Sequence, residues 1–189
     1  MGVVELTFIN KDGVDAKILI ASSDSINILR PYRRFGAAGP GGILGAGTGL
    51  CGISALKNGA SSVVFTDRDD SVIEENIRKN CALNNIPDCD FVSCDWNDVP
   101  ILALERSVDL IIASDCLFES SVFKPFTETL SLLLHKNSNA LAYIAYENRG
   151  SNADLMSIFE KAGLSLSLQS SSIFDSVTFF LLKASVFHP

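Results

Sequence analysis

The sequence predicts an α/β domain, in which a mostly parallel sheet is covered by helices on both faces and ends in an antiparallel hairpin. From position 43 onward, short apolar segments alternate with helical patterns, and these segments are continuously apolar. Strands of that composition lie in parallel sheets that are buried on both faces. The last two apolar stretches are separated only by SSSIFDS, with no helix between them, which favours an antiparallel pair.

The length and composition fit one domain with a buried core. Of the 189 residues 47% are hydrophobic, which is too many for a disordered chain. We expect a single domain over 1–189, with a divergent N-terminal appendage at 1–40 and the core at 41–189. No apolar run reaches the roughly 18–20 residues of a membrane span. The start MGVVELTF lacks the pattern of a secretory signal, so we expect a cytoplasmic or nuclear protein without membrane contact.

The first half of the chain predicts a short β-hairpin and then two strand–helix units. The hairpin strands flank the turn sequence KDG. A glycine loop follows the apolar run at 43–46, and the helix after it stops at Asn58-Gly59. Gly41 and Gly42 favour neither strand nor helix, so we expect a poor first strand in the core. The expected strands cover 3–10, 17–21, 43–46 and 62–66, and the expected helices cover 50–57 and 71–83.

The second half predicts a short strand, two further strand–helix units and the closing hairpin. The last helix ends at Gly163, as helices commonly do. The final pair of strands alternates apolar and polar residues, which is typical of an antiparallel pair with one exposed face. The expected strands cover 90–93, 108–113, 140–146, 164–169 and 177–183, and the expected helices cover 122–134 and 153–162.

The counts of histidine, cysteine and charge disfavour several kinds of site. With only His135 and His188, a Ser-His-Asp triad, a Cys-His pair or a multi-histidine metal site is disfavoured. The five cysteines are scattered and lack a CxxC pair, which favours buried thiols over disulfides or zinc ligands, and we predict no metal. The net charge of −7 argues against direct nucleic-acid binding and allows a basic partner.

The glycine loop GAGTG at 45–49 lies between a predicted strand and a predicted helix. Glycines there allow positive φ and let the backbone approach a ligand closely. A dinucleotide fingerprint would place a glycine at position 50, where this chain has Leu50, so a nicotinamide cofactor is disfavoured. By itself the loop indicates either a cofactor site or an ordinary tight turn.

Carboxylates follow the next two strands of the core. Asp67 stands at the tip of one, where it can accept hydrogen bonds from both hydroxyls of a ribose. Asp69 and Asp70 are better explained as a solvated helix start. Asp95 and Trp96 follow the third strand and predict an adenine pocket, because a carboxylate accepts from an exocyclic amine and an indole covers a purine face. Core packing also explains this tryptophan.

The segment DLIIASDCLFE at 109–119 places a strand in the sheet and then polar groups at its carboxyl end. Ser114, Asp115, Phe118 and Glu119 emerge there. Two carboxylates beside an aromatic ring can hold and orient a cationic nucleophile. Glu119 also suits the start of the following helix, since an acidic group is favourable beside the helix dipole.

These motifs, in this order, resemble class I S-adenosylmethionine-dependent methyltransferases. ILGAGTGLCG, FTDRDDSVIEENIRKNCALNN, SCDWND, DLIIASDCLFE and YENRGSNADLMSIFEKAG look like successive motifs of that family, and the resemblance runs from about 43 to 183. Within the family they resemble the family-16 group of protein methyltransferases, and most of all a branch described as histone-arginine methyltransferases. The resemblance implies a Rossmann-like sheet of seven strands, S-adenosylmethionine as the cofactor, and methyl transfer to a protein arginine, or alternatively to lysine.

The resemblance also implies the roles of individual residues and the nature of the partner. The glycine motif would lie along the methionine and ribose portions of the cofactor. Asp67 would accept hydrogen bonds from the ribose hydroxyls, and Ser114 would line the site near the sulfonium. The segment at 146–149 resembles the next active-site segment of the group. We expect a basic protein substrate such as a histone, and a monomer or weak oligomer. The expected cofactor-binding residues are Gly45, Ala46, Gly47, Gly49, Asp67, Arg68, Asp95, Trp96 and Ser114, and the expected catalytic residues are Asp115, Phe118 and Glu119.

Two departures from the family pattern keep alternatives open. The residue before the Leu-Gly of the glycine motif is usually acidic and contacts the methionine amine, whereas this chain has Ile43. SINILRPYRRFGAAGPGG stands where the group has a tryptophan-containing segment and a helix. A non-catalytic interaction module on the same fold is therefore an alternative to the enzyme, and a nicotinamide oxidoreductase is a third, weaker one.

Overall fold

The structure of the protein is a computed structural model that describes residues 3–9, 15–21, 39–149, 154–174 and 176–187. The strands in these ranges are β1 (Val3–Ile9), β2 (Asp15–Ala21), β3 (Pro40–Leu44), β4 (Ser62–Asp67), β5 (Asp90–Ser93), β6 (Leu110–Ser114), β7 (Leu141–Glu147), β8 (Leu164–Phe174) and β9 (Val177–Val186). The helices are α1 (Leu50–Lys57), α2 (Ser71–Leu83), α3 (Ile101–Leu104), α4 (Ser120–Lys136) and α5 (Leu155–Lys161). None of these helices is both long enough and apolar enough to cross a membrane.

Seven of the strands form one mixed sheet in the order β5-β4-β3-β6-β7-β9-β8. Pairing is parallel from β5 to β7, and β9 is antiparallel to both of its neighbours. β1 and β2 form a separate antiparallel hairpin, and the KDG turn expected between them lies outside the described residues. The predicted fold class, a mostly parallel sheet with an antiparallel C-terminal hairpin and a short N-terminal hairpin, is confirmed.

Helices cover both faces of the sheet, as predicted, and bury two main apolar clusters. One face packs against α4 and α5, and its cluster contains Phe123, Phe126 and Phe159. The opposite face packs against α1 and α2 through Ile53 and Ile77. Neighbouring residues of a strand point to opposite faces, so one parallel strand contributes to both clusters.

The expectation of a poor first strand is wrong, because β3 lies inside the sheet. Gly42 pairs with Val64 of β4 on one side and with Ile111 of β6 on the other. A Cβ at Gly42 would lie 3.3 Å from Cγ1 of Val108, so the glycine also lets the strand lie close to that side chain. Pairing on both edges of a strand outweighs the low intrinsic preference of glycine for strands.

The boundaries of some elements also differ from those expected. The short helix α3 follows Pro100 and has only four residues, too few for a periodic signal. β8 continues through the serine-rich stretch to Phe174, because its backbone pairs with β9 as far as Val177. The last helix begins at Leu155, whereas residue 153 of the expected helix lies outside the described residues.

Gly52 provides a test of how closely α1 packs on the sheet. A Cβ at this position would overlap the ring of Phe65, which is fully buried in β4. We expect Gly52→Ala to lower the free energy of unfolding by about 1–2 kcal/mol, because overpacking costs more than the improved helix propensity gains. Urea denaturation measures the change. Combining it with Phe65→Leu should recover part of the loss, and strictly additive effects would contradict the predicted contact.

The cysteines are free thiols, of which Cys81, Cys94 and Cys116 are buried and Cys51 and Cys89 are half-buried. No group of metal-ligating side chains is found among the described residues. A hydrogen bond with Cys81 lowers the pKa of Cys89 and raises that of Cys81, and burial raises the pKa of Cys81 further. Arg78 also favours the Cys89 thiolate.

We therefore expect Cys89 to be alkylated at a lower pH than an ordinary thiol, since the thiolate is the reactive form. Peptide mass spectrometry after iodoacetamide treatment at a series of pH values gives the midpoint. Replacing Cys81 with alanine removes the hydrogen bond and should move that midpoint to higher pH. An unchanged midpoint would refute the assigned cause.

Candidate active site

The predicted site residues gather at one edge of the sheet, where the parallel strands end. The chain passes from β3 to β4 and β5 on one side of the sheet, and later to β6 and β7 on the other. The loops after β3 and β6 therefore diverge, which is the place where such sheets bind ligands. Each motif that the sequence singled out follows one of these five strands.

The glycine loop after β3 has the backbone conformation that its sequence predicts. Gly45, Gly47 and Gly49 have φ of 71°, 55° and 84°, in the left-handed region that side chains disfavour. A Cβ at Gly45 would lie 2.6 Å from Sγ of Cys116 and 3.3 Å from the ring of Trp96, so this glycine packs closely. At Gly47, by contrast, a Cβ would meet nothing within 4 Å, so the loop leaves space there for a ligand.

Hydrogen bonds from neighbouring elements hold the glycine loop and the end of β3 in place. The side-chain amide of Asn80, on α2, donates to the carbonyl of Thr48 at 2.9 Å. The backbone N–H of Ala46 donates to the carbonyl of Thr66 at 2.9 Å, and the hydroxyl of Thr66 donates to the carbonyl of Ile43 at 2.7 Å. Asn80 was not predicted, although a polar residue on the buried side of an amphipathic helix is the signal for such a role.

Asp67 lies directly beside the glycine loop. Its Oδ2 accepts from the backbone N–H of Gly47 at 2.7 Å and its Oδ1 from that of Arg68 at 2.9 Å. A carboxylate has about four acceptor positions, so capacity for two hydroxyl groups is left. The guanidinium of Arg68 instead pairs with Asp70 at 3.2 Å, and Asp70 caps α2 through the N–H of Val72.

Asp95 and Trp96 follow β5 next to Asp67. The backbone N–H of Cys94 donates to the carbonyl of Asp67 at 2.6 Å, which joins the two loops. Asp95 is exposed, and hydrogen bonds from the backbone and side chain of Asn97 lower the pKa of its carboxyl. The indole of Trp96 is half-buried and meets Phe126 edge-on at 5.2 Å between ring centres. Trp96 thus packs on the core beside the glycine loop.

The end of β6 places Ser114 and Asp115 at the same edge, both exposed. Ser114 forms a hydrogen bond with Cys51 of α1, whose thiol has a pKa raised by burial and lowered in part by this bond. Asp115 has φ 57°, a conformation that a non-glycine residue rarely adopts and that is typical of functional positions. Its backbone N–H donates to the carbonyl of Ala145 at 3.0 Å.

The other two expected catalytic residues are placed differently. Glu119 immediately precedes α4, and its side chain accepts from the hydroxyl of Ser121 at 2.5 Å without capping a backbone N–H of the helix. Phe118 is 49% exposed, a large apolar ring at the surface near the end of β6. Neither side chain is joined to Asp115 by a hydrogen bond or ion pair among the described contacts.

An arginine joins the ends of β6 and β7. Nη2 of Arg149 lies 2.9 and 3.0 Å from the two carboxylate oxygens of Asp115, and 2.8 Å from Oε2 of Glu147. The hydrogen bond to Asp115 is the main cause of the raised pKa of Arg149. The family resemblance indicated that the 146–149 segment is part of the site, but no pattern in the sequence predicted this ion pair.

A family model described as lysine methyltransferase matches residues 43–162 of this chain. Histone-arginine methyltransferase METTL23 from Homo sapiens is 32% identical over 120 residues, which cover 62% of this chain and 63% of that protein. Calmodulin-lysine N-methyltransferase from Arabidopsis thaliana is 30% identical over 115 residues, covering 59% and 38%. Histidine protein methyltransferase 1 homolog from Bos taurus is 31% identical over 128 residues, covering 52% and 34%. The match spans less than two thirds of each of these relatives.

Solved methyltransferase structures have the same fold. A TehB-like S-adenosylmethionine-dependent methyltransferase from Corynebacterium glutamicum superimposes with a TM-score of 0.61 at 17% identity, covering 88% of this chain and 91% of that one. Magnesium protoporphyrin IX methyltransferase from Synechocystis, solved with its bound S-adenosylmethionine, gives 0.62 at 16% identity, covering 83% and 75%. At these identities the likeness concerns the fold, which is that of class I methyltransferases.

Proposed function

Since this chain belongs to the family-16 group of methyltransferases, we propose that it transfers a methyl group from S-adenosylmethionine to an arginine side chain of a protein. The observation that carries the proposal is that three features meet where the parallel strands end: a glycine loop with left-handed φ, the Asp67 carboxylate beside it, and the carboxylate pair of Asp115 and Glu147. The first two suit the cofactor, and the pair suits a cationic acceptor.

The residues of the glycine loop and its neighbours fit S-adenosylmethionine. The open space at Gly47 lets a ligand approach the backbone, and Asp67 beside it has acceptor capacity left for the ribose hydroxyls. Asp95 would accept from the adenine amine, with Trp96 next to it. When bound, S-adenosylmethionine supplies an electrophilic methyl group on a sulfonium. The protein then has mainly to align the acceptor, which requires neither a metal nor a covalent intermediate.

Asp115 and Glu147 suit an arginine acceptor in particular. Both carboxylates contact one guanidinium nitrogen in the structure, so the pair can hold a cationic nitrogen between them. Carboxylate–guanidinium pairs orient the nitrogen through several directed hydrogen bonds, which an ammonium does not reproduce. The net charge of −7 would favour encounter with a basic protein, and the histone-arginine relatives support the same choice.

Calorimetric titration tests the cofactor part of the proposal. We expect S-adenosylmethionine and S-adenosylhomocysteine both to bind with 1:1 stoichiometry, and NADH not to bind. The absence of binding by either sulfur ligand to folded protein would contradict the proposal, and binding of NADH alone would favour an oxidoreductase instead.

A pair of peptides tests the acceptor. The two peptides share a basic sequence and differ only in one arginine or lysine at the centre. We expect the arginine peptide to accept label from methyl-labelled S-adenosylmethionine faster than the lysine peptide. Faster labelling of the lysine peptide would favour the lysine alternative, which the description of the family model supports.

One observation favours a second candidate, a non-catalytic interaction module. Ile43 is only 2% exposed, within β3, where the family has an acidic residue for the methionine amine. An apolar side chain at that place would weaken cofactor binding. A module of this kind would fold and bind proteins without methylating them, so labelled transfer separates it from the enzyme.

A further inference from the structure

Arg149 already occupies the carboxylate pair that the proposed function assigns to the acceptor. Its Nη2 contacts both oxygens of Asp115 and one oxygen of Glu147 at 2.8–3.0 Å. This nitrogen carries two hydrogens, so three oxygens share them. The Arg149 side chain is 35% exposed and that of Asp115 58%. An exchange with a cation from outside would therefore leave the core of the domain untouched.

The group in this position is chemically the same as the acceptor of the proposed reaction. A tethered guanidinium competes with any incoming cation at a high effective concentration. A substrate guanidinium can re-form the contacts that Nη2 of Arg149 gives up and can add a hydrogen bond from a second nitrogen, whereas a lysine ammonium offers one nitrogen only. In such a competition the apparent Kd of the substrate equals its intrinsic Kd divided by the fraction of molecules in which the carboxylates are free.

We infer that Arg149 is a specificity-determining residue, an internal competitor that holds Asp115 and Glu147 until an arginine from the substrate displaces it. The inference rests on the proposed function for its choice of acceptor. A different role, in which Arg149 only braces Asp115, predicts the opposite effect on acceptor affinity when the guanidinium is removed. The two roles are therefore distinguishable by the sign of one change.

The test is the affinity of wild-type protein and of Arg149→Gln for a glycine-rich peptide with a single arginine, titrated calorimetrically in the presence of S-adenosylhomocysteine. We expect the variant to bind with a Kd about fivefold lower or better, because no internal cation competes. Arg149→Lys, which keeps the charge, should remain within about twofold of wild type. Arg149→Met serves as a second neutral variant if the glutamine variant folds poorly.

Two controls separate competition from a general change in charge. Arg106 forms a comparable pair with Asp90 at 2.9 Å. Asp90 begins β5, so this pair lies where the parallel strands start, at the far end from the candidate site. Arg106→Gln removes the same charge and should leave the Kd for the peptide unchanged within about twofold. The double variant Arg149→Gln/Glu147→Gln should lose the gain in peptide affinity, because that gain requires the freed carboxylate of Glu147.

Several outcomes would overturn the inference. They are equal or weaker binding of the peptide by Arg149→Gln, no binding by wild type or variant, and an equal gain in Arg106→Gln. Failure of the proposed function has a separate signature, since wild-type protein would then transfer no label from S-adenosylmethionine to any protein. That result does not depend on the difference in peptide affinity between the variants.

Discussion

Replacing Asp67 with alanine should weaken the binding of S-adenosylmethionine about 100-fold or more. The carboxylate would accept two ribose hydroxyls, and a hydrogen bond to a charged group contributes about 1.5–3 kcal/mol. Two such bonds amount to at least about 3 kcal/mol, or roughly two powers of ten in affinity. The substitution also removes the bond from the N–H of Gly47 that ties the glycine loop to β4. Calorimetry with S-adenosylmethionine and with S-adenosylhomocysteine measures the loss.

Asp69→Ala is the matched control for this prediction. Asp69 is exposed, lies two residues from Asp67, and loses the same charge when it is replaced. Its substitution should change the Kd of the cofactor by less than about twofold, because Asp69 is solvated and holds no cofactor group in the proposal. Binding by Asp67→Ala within threefold of wild type would show that this carboxylate does not hold the ribose.

Replacing Asp115 with asparagine should lower kcat/KM for methyl transfer about 100-fold, because small errors in the alignment of an acceptor cost about that factor. Asparagine has nearly the same shape and tolerates the positive φ of this position, so the backbone should be retained. The affinity for S-adenosylmethionine should stay within about threefold, since the proposed role of Asp115 is to hold the acceptor and not the cofactor. Initial rates of labelled transfer to a basic protein give kcat/KM.

Asp90→Asn provides the comparison for Asp115→Asn. It makes the same change of acid to amide at the start of β5, on the opposite edge of the sheet. We expect its kcat/KM to equal that of the wild type. If Asp115→Asn retained full activity, the catalytic site would have to lie elsewhere on this edge.

Much of the fold follows from the sequence because each strand and helix carries a local signal. The helix from Ser71 to Leu83 begins after a capping aspartate and ends at two asparagines, and both of its limits were predicted. β3 could not be predicted as well, because its glycines gain their stability from pairing with β4 and β6. That pairing is a long-range property with no local signal.

The candidate site, too, has features that the sequence predicts and features that only the fold reveals. The glycine loop and Asp67 stand in fixed positions after strands, so the sequence alone places them together. The ion pair between Arg149 and Asp115 joins residues 34 positions apart, and only the parallel pairing of β6 and β7 brings them into contact. The motif next to Glu119 does not distinguish two roles for this carboxylate, since it also lies at the start of α4, where an acidic group is favourable beside the helix dipole.

Methyl-labelled S-adenosylmethionine, incubated with the protein and with histones or a whole-cell extract, tests the central claim most directly. The account predicts label on a protein band, methylarginine in the mass spectrum of the modified peptide, and loss of label with Asp115→Asn. Folded protein that binds S-adenosylhomocysteine but labels no protein would contradict the claim and favour the interaction module.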